Sequence, residues 1–132
     1  MKIAAASDDE VNISQHFGRA PYYVVETVED DRVVDRETRA KAGHQTFAAH
    51  ESPKLAPGER HGYDAGSEIR HESMVEAIRD CQVLIAGGMG WGAYESMREY
   101  GIETIVTDVK PIDEAIELYL AGDLPNLTAL LH

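Results

Sequence analysis

The chain predicts an α/β fold, a mixed five-stranded sheet with helices on its faces. Three observations carry that prediction. The first third of the 132 residues holds three β-forming runs, two of which flank the polar turn Glu29-Asp30-Asp31. Val83–Ala86 is a continuous apolar run, as in a strand buried on both faces, and a glycine-rich turn and a helical segment follow it. Glu103–Thr107 is a further β-forming run and leads into an amphipathic segment opened by Pro111. The resulting order, βββ-αβ-αβ-α, joins an antiparallel hairpin to two αβ units, the crossovers that parallel strands require.

Taken in order, Lys2–Ala6 is the first strand, and the loop from Ser7 to Gly18 carries Asp8, Asp9, Glu10, His16 and Gly18. Tyr22–Val28 is rich in β-formers and makes the second strand. Arg32–Thr38 is the third, and the short turn before it gives an antiparallel hairpin. Residues 39–66 differ: Gly43, Pro53, Pro57, Gly58, Gly62 and Gly66 punctuate them, with almost no apolar period. So long a loop in a compact domain is usually functional or disordered. Residues 40–66 are therefore expected to be mobile until a ligand orders them. The whole insertion, residues 39–72, also carries His44, His50, His61 and His71.

A helix then runs to about Asp80, with Ser73 and Glu76 in a capping-box pattern and Ser67 as an earlier possible start. Met74, Val75 and Ile78 supply its apolar residues. After the glycine turn, Ala93, Met97 and Tyr100 form a helical stripe, and Gly101 closes that helix. The last helix turns Ile112, Ala115, Ile116, Tyr119 and Leu120 inward and ends at Gly122. The tail, residues 123–132, either docks weakly or stays loose. With no repeat and no second hydrophobic pattern, residues 1–132 read as one domain.

Composition narrows the function classes. A net charge of −12 argues against a nucleic-acid partner, which needs a basic surface. It suits solubility and leaves room for a basic protein partner. One cysteine permits no internal disulfide. No apolar run approaches the roughly 18 residues of a membrane span, and the N-terminus is too short and too quickly polar for a signal peptide. The expectation is a cytoplasmic protein with a reduced thiol and no membrane partner.

Four groups of residues could carry chemistry. His16 sits in a loop after the first strand, with Phe17 to anchor the loop in the core and Gly18 to turn the backbone. The histidines at 44, 50, 61 and 71 have irregular spacings that match no compact zinc pattern. His71 is the best placed of them, at the mouth of a helix that ends near Cys81. Cys81 is either a buried apolar residue or a thiolate ligand to a metal or cluster. The glycine turn, Gly87, Gly88, Met89 and Gly90, precedes a helix N-terminus, where backbone N–H groups favour anions. Gly88–Ala93 also fits G-x-G-x-x-A, with Asp108 after the next strand, so a nucleotide-dependent enzyme is a rival reading. No catalytic triad is evident, and Asp8, Asp9 and Glu10 have no partner acid for a Mg²⁺ site. The chain is expected not to be an enzyme.

The segments MKIAAAS, SQHFGRAPYYVV, DCQVLIAGGMGWGAYESMREYGIETI and IDEAIELYLAGDL, in this order, resemble the dinitrogenase iron–molybdenum cofactor biosynthesis domain of NifX and the NifB C-terminus. The resemblance runs from residue 1 to about residue 124. It implies a ribonuclease H-like fold. It also implies binding, carriage or storage of an iron–sulfur or molybdenum–iron–sulfur cluster or its precursor, rather than turnover. Carried over onto this chain, it names His16 as the ligand, within the His16–Gly18 loop, and Gly87–Gly90 as pocket wall. Cys81 and His71 are secondary metal candidates. A cluster donor or acceptor protein is the partner such a role calls for. The anionic charge of such clusters suits the backbone amides of the glycine turn, and imidazole and thiolate suit iron. An acidic protein-interaction module remains a third reading.

Overall fold

In a computed structural model of the chain, residues 1–41 and 74–131 are described. They form a five-stranded sheet in the order β3-β2-β1-β4-β5. The strands are β1 (Lys2–Ser7), β2 (Tyr22–Glu29), β3 (Arg32–Ala40), β4 (Val83–Ala86) and β5 (Glu103–Val106). Helix α1 spans Trp91–Glu99 and helix α2 spans Ile112–Ala121. All five strands lie where the sequence places them, each to within two residues at its ends. The helix expected before β4 is described from residue 74 as a single helical turn that loosens into turns up to Asp80. The expected mobility of residues 40–66 and the histidines at 44, 50, 61 and 71 concern positions that lie, apart from residues 40 and 41, outside the described residues.

β1 is the keel of the sheet. It pairs antiparallel with β2 (Ser7 opposite Tyr22) and parallel with β4 (Ala5 opposite Ile85). Its alanines are weak strand formers, but each is fully buried, and packing on both faces overrides propensity. The two-residue alternation of a strand divides the core. Ala4, Ala6, Tyr23, Val25 and Leu84 face Met74, Val75, Ile78 and Met97. Ile3, Ala5, Val24, Val83, Ile85 and Ile105 face Ile112, Ala115 and Ile116 of α2. Tyr100, read as part of the α1 stripe, is instead exposed just past the helix end, with Arg79 over its ring.

The ends of the elements obey local chemistry. Gly101 and Gly122 both close their helices at φ +79°, a conformation that side chains disfavour. Pro111 caps α2. The hairpin turn places both Asp30 (φ 52°) and Asp31 (φ 62°) in the left-handed region, as a type I′ turn requires. The tail is docked rather than loose: the Leu127 N–H donates to the Val106 carbonyl, and Leu131 bridges to Met89.

The strand directions bring the carboxyl ends of β1, β3, β4 and β5 to one edge of the sheet, with the amino end of β2. Open α/β sheets place ligands at the carboxyl edge of parallel strands. No described helix is long and apolar enough to cross a membrane. Because Asp31 pays a backbone cost at positive φ, Asp31→Gly should stabilise the fold by about 0.5–1 kcal/mol in chemical denaturation.

Candidate functional site

The loop after β1 is pinned before it reaches His16. The Ser7 hydroxyl donates to the Asn12 carbonyl and accepts from the Glu10 N–H. Asp9 accepts N–H bonds from Asn12 and Val11, which hold its carboxyl down to about 2. That carboxylate is spent on folding a turn. Ile13 then donates to the Lys110 carbonyl, which ties the loop to the start of α2.

The next residues cross the glycine corner, and two hydrogen bonds lace the loops together. The Gly87 N–H donates to the Ser14 carbonyl at 2.9 Å, and the Phe17 N–H donates to the Gly88 carbonyl at 2.8 Å. The approach leaves no room for side chains. A Cβ on Gly87 would lie 2.6 Å from the Ser14 carbonyl oxygen, and one on Gly88 would lie 2.5 Å from that of Gln15. These glycines are needed for close backbone packing. Gly18 and Gly90 are different: each faces open space, and neither has a positive φ. Gly18 is therefore not required by the turn it sits in.

The lacing sorts the side chains. Phe17 is 1% exposed, and its ring centroid lies 6.2 Å from that of Tyr23. His16 is exposed, while its backbone is held: its N–H donates to the Ser14 hydroxyl, and its carbonyl accepts from Arg19 and Ala20. An imidazole presented from a fixed backbone suits a single exchangeable coordination bond. Met89 is 1% exposed and packs in the core, so its side chain does not line an open cleft.

The anion-accepting amides lie one step later than the sequence suggests. The Gly87 amide is already engaged. Helix α1 opens with Gly90 as N-cap and no side-chain cap, and Tyr94 donates to the Gly90 carbonyl. The N–H groups of residues 91–93 precede that first helical bond and carry the partial positive charge of the helix start. The same packing weakens the nucleotide reading. Asp108 is exposed just past β5, yet the Ser14–Phe17 segment covers the part of the glycine corner that a pyrophosphate would approach.

Cys81 does not join His16. It sits at the amino end of β4, beside the start of β1, a strand length of roughly 15 Å from the loop edge. Its thiol is buried, and burial together with the Asp80 carboxylate pushes it up to about 11. Asp80 itself is held well below the carboxylate range by Arg39, which binds it through two nitrogens at 2.7 and 2.9 Å. A protonated, buried thiol is a poor ligand. His71 lies outside the described residues. Among those described, no three His, Cys, Asp or Glu side chains converge as a metal site.

The sequence reading passed over Lys41. It follows β3 at the same edge, is 0% exposed, and has no hydrogen-bond partner for its ammonium among the described residues. The ammonium lies 4.3 Å from the Phe17 ring centroid. Burial pushes its pKa down to about 8. The only signal in the chain is a lone lysine between Ala40 and Ala42 at a strand end.

Residues 1–122 match the family described as dinitrogenase iron-molybdenum cofactor. The chain belongs to that family. No curated protein matches it. Among solved structures it is similar to PH0822, at 24% identity with a TM-score of 0.61, over 96% of this chain and 95% of that one. It is also similar to MJ0327 of Methanocaldococcus jannaschii, at 18% identity with a TM-score of 0.65, over 97% and 95% of the two chains. A third is the apo orange protein of Desulfovibrio gigas, at 19% identity with a TM-score of 0.65, over 95% and 91%. At these identities the structures establish a shared fold.

Two outcomes follow for this family member. Gly88→Ala should cost about 1–3 kcal/mol in denaturant unfolding, because a backbone oxygen must move, whereas Gly90→Ala should stay within about 0.5 kcal/mol. Lys41→Met should be more stable than the parent at pH 7, where the folded chain holds a buried cation with no carboxylate partner among the described residues. The advantage should shrink between pH 8 and 10.5, since there the folded lysine sheds its proton while the unfolded one, at the usual 10.5, keeps it. The limiting difference is about 3 kcal/mol, read as the gap between the two pH–stability curves.

Proposed function

We propose that the protein binds and carries, or stores, an iron–sulfur or molybdenum–iron–sulfur cluster or its precursor, held at the loop edge. The observation that supports this most is the lacing of Ser14 and Phe17 to Gly87 and Gly88. It sets an exposed imidazole and an uncapped helix start on one sheet edge, in a chain of the iron-molybdenum cofactor family. His16 supplies one coordination bond, and the amides of residues 91–93 offset the negative charge of the cargo. Phe17 and Gly18 frame the ligand loop, and the backbone of Gly87–Gly90 forms the wall behind it.

One strong ligand makes a labile site, which suits transfer to or from a second protein and not turnover. On this reading the chain is a cytoplasmic carrier without catalytic activity of its own. The sheet order, with only β2 running against the other strands, supports a ribonuclease H-like description of the fold.

Anaerobic reconstitution with iron and sulfide should give cluster absorption in the visible range. His16→Ala should weaken retention about tenfold while changing stability by no more than about 0.5 kcal/mol, as an exposed side chain does. Absence of cluster uptake alongside micromolar binding of ATP or NAD would sink the carrier reading in favour of a nucleotide site at Gly88–Ala93.

A further inference from the structure

The register of the sheet carries Lys41 to the ligand edge. Ala40 pairs with Tyr22, and Tyr22 pairs with Ser7, so the residue after β3 stands level with the loop that follows β1. The Lys41 N–H donates to the Pro21 carbonyl at 2.9 Å, which fixes its backbone there. From that position the side chain turns onto the Phe17 ring. Phe17 is the residue after His16, and its own N–H is bonded to Gly88. The ammonium thus packs on the side chain of the residue that follows His16 in sequence, a residue whose own backbone is bonded to the glycine corner.

A buried, unpartnered ammonium is costly, and this chain has ample means to avoid it. It carries 24 acidic residues against 12 basic ones. Other charged side chains at buried or half-buried positions have a countercharge: Arg39 binds Asp80 and Glu37, and buried Glu26, whose Oε2 makes no hydrogen bond among the described residues, still has the Arg36 guanidinium at 3.8 Å. Among the described residues no carboxylate pairs with Lys41, and an aromatic face is the only compensation. Such locally unfavourable features concentrate where a ligand completes the arrangement.

We infer that Lys41 is the counter-charge for an anionic, sulfur-rich metal species bound beside the His16 loop, a thiometallate or a metal–sulfur cluster. The inference rests on the carrier reading and specifies the charge and softness of its cargo. One ammonium over an aromatic ring cannot supply the dense donor set that strips water from phosphate or molybdate. It suits a large anion whose charge is spread over sulfur and which is weakly hydrated.

The test uses tetrathiomolybdate as the probe, added anaerobically to the full chain and followed by visible absorption and equilibrium dialysis. Lys41→Met should weaken binding by about tenfold or more, with an unchanged or higher thermal midpoint, and Lys41→Arg should recover most of the affinity. Phosphate and molybdate should not compete. Parent-like binding by Lys41→Met, while His16→Ala binds weakly, overturns the role of Lys41 and leaves the carrier reading standing. Weak binding by Lys41→Met with a lowered midpoint that Lys41→Arg does not rescue marks a structural lysine and also overturns it. Full binding by His16→Ala with weak binding by Lys41→Met supports Lys41 and removes His16 as ligand. No uptake by the parent chain overturns both.

Discussion

Two short hydrogen bonds hold the loop after β1 against the turn after β4, and a side chain at Gly87 or Gly88 would push that loop's backbone carbonyls away. The constraint behind them is the parallel pairing of β1 with β4, which sends both loops off the same edge. Once the loops are laced, the rest of the edge is determined. Phe17 must turn into the core, His16 must face outward, and α1 must start beside them. The glycines therefore do structural work first. Any ligand meets the consequences of that packing, an exposed imidazole and a helix start, before it meets the glycines.

The two ends of the sheet have opposite chemistry. At the end where β1 and β4 begin, Asp80 is neutralised by Arg39 and Lys2, and the Cys81 thiol stays protonated in its burial. Charge there is closed into local pairs, and the one thiol in the chain is withdrawn from use. At the other end the imidazole of His16 and the first amides of α1 are left open, and the ammonium of Lys41 is buried on the Phe17 ring.

Much of the fold was legible because its signals are local. The β-branched and aromatic content of Tyr22–Val28, the apolar run at Val83–Ala86, and the glycines that close both helices each act within a few residues. The positions of His16 and of the glycine turn, each in a loop that follows a β-forming run, were legible as well. What each glycine is for was not. Gly18 and Gly90 look like Gly87 and Gly88 in the sequence, but only the latter pair meets another backbone, from a segment some 70 positions away.

By itself, then, the sequence determined the type and order of the strands and helices, the turn chemistry that ends them, and the resemblance to the iron-molybdenum cofactor family. Short-range periodicity and capping suffice for the first two, because they involve neighbours along the chain. Only the tertiary structure decided which residues share an edge. The pairing of β1 with β4 separated Cys81 from His16 by the length of a strand. The pairing of β2 with both β1 and β3 carried Lys41 to the Phe17 ring. Burial and charge compensation are set by contacts between distant segments, and no local pattern in the chain encodes them.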